Sequence, residues 1–322
     1  MLIARSIAEL ASIATPSVVT IGNFDGVHCG HRMVIASVID RAKTVSARSV
    51  AVTFDPHPAH ILHDGPRLPL ITPLAEKLAL LAETGLDLTL VLPFNADLRL
   101  WSAHQFAERV LAEGLHAVEV HEGETFRFGH NAEADITDLE RLGQDLGFTV
   151  HAFQPCVERG APVSSSRIRK LIAAGALSEA RALLGRSFSI LSTPASGRGY
   201  GTKYAVPTIN LAPYTELLPA NGVYITTLHV GFGEQARLFR GVTNAGNRPT
   251  FGADSFAVET HLLDFEPIDL TESTPLELTF LHRLRAEQRF PTSEALRAQI
   301  GQDVRRAQRY FALCDALHTP LT

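Results

Sequence analysis

Two histidines, His28 and His31, stand three residues apart in the stretch TIGNFDGVHCGHRMVI, residues 20–35. A glycine-rich turn that leaves a strand and opens a helix puts backbone N–H groups and the positive end of the helix dipole where an anion can sit. Gly22, Gly26 and Gly30 let the backbone come close to such an anion. On a first helical turn the two imidazoles share a face. Turned toward a phosphate, they donate hydrogen bonds and stabilise the charge that builds during group transfer. The plainer reading is a tight turn whose histidines cap the helix. One isolated histidine would favour that reading; the whole G-x-F-D-G-x-H-x-G-H string favours the anion site. The P-loop pattern G-x-x-x-x-G-K-[ST] is absent, and G-x-G-x-x-G is missing from this turn.

Other stretches carry chemistry-bearing residues. SSSRIR (164–169) reads by itself as a helix N-cap followed by a surface arginine. TFDPHP (53–58) ends a strand, and FRFGH (126–130) reads by itself as a loop with two packed aromatics. GRGYGTKYAVPTINL (197–211) is rich in glycine and ends with Thr208 and Asn210 two apart, on one side of a strand. A hydroxyl and an amide oxygen on one face suit Mg²⁺ with substrate phosphates; a glycine loop feeding an ordinary polar strand face is the equal alternative. FAVETHLLD places Glu259 and His261 on one face and Val258, Thr260 and Leu262 on the other. A carboxylate there can take the proton of a hydroxyl attacking ATP, or can simply face solvent.

The elements that must position these residues follow from periodicity. In the first half, strand runs (SVVTIGNF, SVAVTFDPHP, LDLTLVLPF, HAVEVHEG, FTVHAFQP) alternate with helical spacings (RMVIASVIDRAK, PLAEKLALLAETG, SAHQFAERVLAEG, DITDLERLGQDLG). That alternation predicts an open parallel α/β sheet, with ligands beyond the carboxyl ends of the strands. GNFDGVHCGH, FDPHP and PFN all fall there. VSSSRIRKLIAAGALSEARALLG closes the half. After Gly185 the runs SFSILST, GVYITTLHV, ARLFRGVTN, FAVETHLLDF and PLELTFLHRL follow one another without helices, which predicts an antiparallel barrel or sandwich. Leu296, Ile300, Val304, Ala307, Phe311 and Cys314 then mark an amphipathic C-terminal helix. The expected domains are 1–185 and 186–322.

A chain of 322 residues exceeds one usual core, and a net charge of −5 argues against general nucleic-acid or membrane-surface binding. Cys29, Cys156 and Cys314 are odd in number and scattered, without C-x-x-C, so no disulfide framework or structural zinc site is expected and a reducing cytoplasm fits. No signal peptide and no membrane-spanning run is read in the sequence. Oligomeric state is not readable from the chain.

The H-x-G-H string resembles the signature of the nucleotidylyltransferase superfamily, and SSSRIR resembles its second signature, in order and downstream of the fifth strand. TFDPHP and FRFGH look like the elements lining the cleft of prokaryotic-type FAD synthetases, with Thr125 and Ala134 departing from the usual pattern. From residue 186 on, the chain resembles the riboflavin kinase module: VPTIN is similar to its P-T-A-N motif, GVTNAGNRPTFG to its G-x-x-N-x-G-x-x-P-T segment, and VETHLLDF to the strand carrying its base. Together these identify the chain as similar to the bacterial bifunctional riboflavin kinase/FMN adenylyltransferases.

The resemblance implies a Rossmann-like nucleotidylyltransferase domain, then an antiparallel kinase barrel with a C-terminal helix. It implies ATP and Mg²⁺, with riboflavin, FMN and FAD as substrates and products. By the same resemblance His28, His31, Arg169 and Glu259 are catalytic, and Gly22, Phe24, Asp25, Gly30, Ser164, Ser165 and Ser166 bind ATP. Asn23, His57, Pro58, Phe126, Phe128 and Asp135 line the flavin and nucleotide cleft. Gly197, Gly199, Gly201 and Lys203 form the kinase nucleotide loop, and Thr208 and Asn210 are metal ligands. Ala205 and Ile209 stand where the family has smaller residues. They raise the alternative of an FMN adenylyltransferase whose kinase is weakened or lost. A flavin or nucleotide sensor that does no chemistry is the alternative from the binding class.

Overall fold

The computed structural model describes residues 1–10, 15–195, 208–233, 236–247, 256–264 and 266–318. It divides into two units, Met1–Ser165 and Ser166–Thr322.

The first unit is built on strands β1 (Leu2–Ala4), β2 (Ser17–Ile21), β3 (Arg48–Asp55), β4 (Leu88–Pro93), β5 (Ala117–Gly123) and β6 (Thr149–Phe153). They form one sheet in the order β1-β4-β3-β2-β5-β6, every neighbouring pair parallel. Five of these strands match the sequence reading. The three-residue edge strand β1 was not expected, because a run this short carries no period. Helices α1 (Cys29–Thr44), α2 (Ala59–Leu62), α3 (Leu74–Ala82), α4 (Ala103–Phe106) and α5 (Ile136–Leu146) fill the crossovers, and α4 runs on as a π-helix over Ala107–Gly114.

Side chains that alternate along the strands feed two cores, one on each side of the sheet. Val19, Ile21, Val50 and Val52 pack with Phe106, Val110 and Leu139. Val18 and Ala51 pack with Ile35, Val38 and Leu81. A short hairpin, β7 (Val157–Glu158) with β8 (Ala161–Pro162), follows the sheet.

Helices α6 (Ser165–Ala173) and α7 (Leu177–Leu184) come next. Change of texture in the sequence places the boundary at 185. By contacts the division falls earlier, because α7 packs on the first and last strands of the sheet that follows.

That sheet holds β9 (Phe188–Ser192), β10 (Thr208–Asn210), β11 (Gly222–Val230), β12 (Arg237–Asn247), β13 (Phe256–Leu263) and β14 (Leu276–Ala286), in the order β10-β13-β12-β11-β14-β9, all antiparallel. Its two edges meet: Pro194 bridges Leu211, Ala195 N–H donates to the Asn210 carbonyl at 2.8 Å, and Ala212 N–H to the Thr193 carbonyl at 2.8 Å. This closure makes the sheet a barrel and removes its open edges at this end. Helix α8 (Ser293–Ala316) covers Val223, Ile225, Val242 and Leu281 with Ala307 and Phe311.

The expected α8 stripe is only half buried. Leu296 and Ile300 are exposed, while Asp303, absent from the stripe, is 1% exposed and held by Arg285 at 2.9 Å and Gln299 at 3.0 Å. The first turns of the helix run past the end of the apolar surface they were expected to cover.

Candidate functional site

Strand β2 has its topological switch on one side. It pairs with β3 as far as Ile21, and Gly22 N–H still donates to the Val52 carbonyl at 2.9 Å. Its pairing with β5 stops at Val19–Val120. The two strands part at their carboxyl ends, where an open α/β sheet holds its ligand. The gap is a cleft of about 240 Å³ lined on one side by Gly22, Phe24, His28 and His31, and on the other by Phe126 and Cys156.

Glu122 makes this parting possible, and no motif or spacing marks it. Ile21 N–H, which has lost its ladder partner, donates to Glu122 Oε1, and Thr20 Oγ1 donates to the same oxygen at 3.2 Å. The side chain is 5% exposed, and burial pushes its carboxyl up to about 8, so the group is neutral at pH 7.

The loop between β2 and α1 is sharply folded. Phe24 has φ 46°, Gly26 φ 88° and Val27 φ 37°. A β-branched residue in that region is strained, and such strain persists only where the surroundings impose it. Asp25 imposes it here: its carboxylate is 2% exposed and accepts from Ile71 N–H (2.9 Å) and Thr72 N–H (3.0 Å), while Gly26 N–H donates to Thr72 Oγ1 at 2.9 Å. The resemblance groups Asp25 with the ATP-binding residues; in the structure its carboxylate anchors the loop. Lys77, another residue with no sequence signal, lies buried beneath. Its Nζ donates to the Asn23 carbonyl (3.1 Å) and to Thr53 Oγ1 (3.0 Å), and burial lowers it to about 8.

His28 is the N-cap of α1, its Nδ1 accepting the His31 N–H at 3.3 Å. That bond selects the tautomer with its proton on Nε2. The His28 and His31 rings stack, centroids 3.6 Å apart and 13° from parallel, and Phe24 meets His31 edge-on at 5.1 Å. Burial, then His28, then Lys77 hold His31 well below the usual imidazole range. Its Nδ1 is buried with no hydrogen-bond partner among the described residues. Gly30 suits this stack, since a Cβ there would lie a tight 3.3 Å from the His28 ring.

The second motif reaches the first through Ser165, whose hydroxyl donates to the Asp25 carbonyl at 2.8 Å. Ser164 precedes α6, and Ser166 and Arg169 follow within it. The remaining cleft candidates separate. Phe126 lines the cleft and stacks on Phe128 at 5.3 Å, but Phe128 itself belongs to the core with Phe106. Asp135 is the N-cap of α5, accepting from Thr137 and Asp138. His57 Nδ1 accepts the Ala59 N–H at 3.1 Å and Pro58 opens α2.

In the barrel, register assembles a second constellation. Asn210 of β10 lies opposite Glu259 of β13, which lies opposite Asn244 of β12; Thr208 lies opposite His261. Directly paired residues project to the same side of a sheet, so Thr208, Asn210, Asn244, Glu259 and His261 share one face. Burial lowers the His261 imidazole. The other face is interior, with a ladder Thr226–Thr243–Thr260 (2.7 and 2.9 Å). Ile209 is 3% exposed on that interior face, so its bulk points away from Thr208 and Asn210. Gly197, Gly199, Gly201 and Lys203, with Ala205, lie outside the described residues.

Residues 10–167 match the FAD synthetase family and residues 184–311 the riboflavin kinase family. The chain is 35% identical to the bifunctional riboflavin kinase/FMN adenylyltransferase of Pseudomonas fluorescens, over 97% of this chain and 98% of that one. To the protein of the same name from Escherichia coli K12 it is 32% identical, over 92% and 93%. A crystal structure described as a macrolide-efflux protein from Streptococcus pneumoniae superposes with a TM-score of 0.82 at 23% identity, over 95% of this chain and 98% of that one; this likeness speaks to the fold. With both family matches in order and relatives aligned over nearly their whole length, the chain belongs to the bifunctional riboflavin kinase/FMN adenylyltransferases.

Proposed function

We infer that the chain makes both flavin cofactors: it phosphorylates riboflavin with ATP to give FMN, and adenylylates FMN with a second ATP to give FAD and pyrophosphate. The observation that carries this reading is the presence of both family domains in one chain, each with its own cluster of polar groups. It favours the bifunctional enzyme over an adenylyltransferase without a kinase, and the inward-facing Ile209 supports the same choice.

In the adenylyl transfer an FMN phosphate oxygen attacks the α-phosphorus of ATP, and the bond to the pyrophosphate oxygen breaks. The chain supplies no nucleophile. His28 offers an Nε2–H, and His31 keeps a neutral ring whose Nδ1 has no hydrogen-bond partner among the described residues. We assign both to the ATP phosphates, donating into the charge that develops on the leaving group. The family resemblance assigns Ser164, Ser165, Ser166 and Arg169 to ATP phosphates. Gly22, Asn23, Phe24, Gly30, Phe126 and His57 are assigned to the walls of the cleft.

In the kinase reaction the riboflavin hydroxyl attacks the γ-phosphorus, its proton passes to Glu259, and ADP leaves. Thr208 and Asn210 present a hydroxyl and an amide oxygen on the Glu259 face, hard donors of the kind Mg²⁺ accepts. These two residues would hold it, and bound there the ion would draw charge from the ATP phosphates. We place the reactions in the cytoplasm, in keeping with three free cysteines. No helix among the described residues is long and apolar enough to cross a membrane.

Replacing His28 and His31 with alanine should abolish FAD formation from FMN and leave FMN formation from riboflavin intact. Glu259→Gln should do the reverse, slowing FMN formation ~10²–10⁴-fold. If FAD synthesis survived the double replacement, the assigned roles of the histidines would be wrong.

A further inference from the structure

A third cluster of titratable groups lies outside both sites. Glu119 and His121 sit two apart on β5, and His151 lies opposite His121 on β6, so all three project to one face of the sheet. Glu119 Oε2 is 3.3 Å from His121 Nε2 and 3.4 Å from His151 Nε2. One ligand atom from each of the three residues lies within 4.8 Å of the others. Two ligand atoms each about 2.0–2.1 Å from a tetrahedral zinc lie ~3.4 Å apart. The two measured edges are those of such a tetrahedron.

The surroundings hold two of the three donors in place. His121 Nδ1 is 3.0 Å from Ser37 Oγ, a hydroxyl that can accept the ring proton and so free Nε2 to bind a cation. Arg41 grips both carboxylate oxygens of Glu119, its Nη2 2.7 Å from Oε1 and its Nε 2.8 Å from Oε1 and from Oε2, which leaves the second lone pair of Oε2 for a cation. Ser37 and Arg41 are four apart on α1, so the cluster ties that helix to β5 and β6. His121 and Glu119 are buried, whereas the His151 side chain is 43% exposed, which gives a route in and room for a water as fourth ligand.

We propose that Glu119, His121 and His151 bind one divalent cation of the zinc class, at a site separate from the flavin and ATP clusters. It would clamp the helix that opens at His28 to strands β5 and β6. The competing account is a metal-free ion-pair network around Glu119.

The test uses the full-length protein, stripped with chelator and titrated with Co²⁺ and then Zn²⁺, alongside His151→Ala and Ser37→Ala. The exposed position of His151 makes its replacement safe for folding. The wild type should take up one equivalent more than His151→Ala, with visible absorption of four-coordinate Co²⁺ that Zn²⁺ displaces. Zn²⁺ should raise the melting temperature of the wild type and not of His151→Ala. Ser37→Ala should keep the equivalent but bind it ~10–100-fold more weakly. No uptake by the wild type, or equal stoichiometry and affinity in His151→Ala, would overturn the proposal in favour of the ion-pair network.

Discussion

Single residues set the chemistry of the cleft, and the most informative is Glu122. A carboxyl held at about 8 in the folded chain, against an ordinary 4.5, keeps its proton where the unfolded chain has lost it. Between those values this group keeps a proton in the folded chain that it has lost in the unfolded one, so its contribution to stability falls as pH rises across that window, by at most ~1.4 kcal/mol per unit. Glu122→Gln keeps an oxygen for Ile21 N–H and Thr20 and removes the titration. The excess of the wild-type denaturant midpoint over that of Glu122→Gln, measured from pH 5 to 8, should shrink as pH rises; parallel profiles would show that Glu122 does not titrate there. Lys77 is its counterpart, a buried cation serving backbone carbonyls under the same loop. Neither stood out in the sequence. One lies at the end of a strand run and the other on a helix, and each matters only because of which neighbours lose a backbone partner. The paired histidines and glycines, by contrast, were readable because a stacked N-cap on a tight turn is encoded within four residues.

At the scale of elements, local pattern carried most of the fold. The five longer parallel strands, their helices and the barrel strands all follow from period. What escaped depended on partners distant in the chain. Strand β1 exists only because Leu2–Ala4 pair with Leu88–Leu90. The cross-strand row of Asn210, Glu259 and Asn244 depends on register, which alternation alone cannot fix. The C-terminal helix shows the limit of the hydrophobic stripe, since its anchor is a charge. Arg285 and Asp303 have side chains 17% and 2% exposed, and Asp303 bonds Gln299 as well. Removing one partner of a buried pair leaves the other uncompensated, at a cost of ~3–5 kcal/mol. Asp303→Ala should lower stability by about that amount in urea unfolding, while Leu296→Ala, exposed about two turns earlier, should change it by less than ~1 kcal/mol. Equal losses would mean that the helix docks by its apolar stripe after all.

On the scale of the whole molecule, the chain joins a parallel α/β unit and an antiparallel barrel, and the product of one reaction is the substrate of the other. FMN, the product of the kinase reaction, is the acceptor of the adenylyl transfer, so a single chain given riboflavin and ATP suffices for FAD. The account is tested most directly by incubating the purified wild-type chain with riboflavin and MgATP and resolving the flavins by chromatography over time. It predicts that FMN appears first and FAD follows with stoichiometric pyrophosphate. Absence of both FMN and FAD from riboflavin, with supplied FMN still converted to FAD, would contradict it.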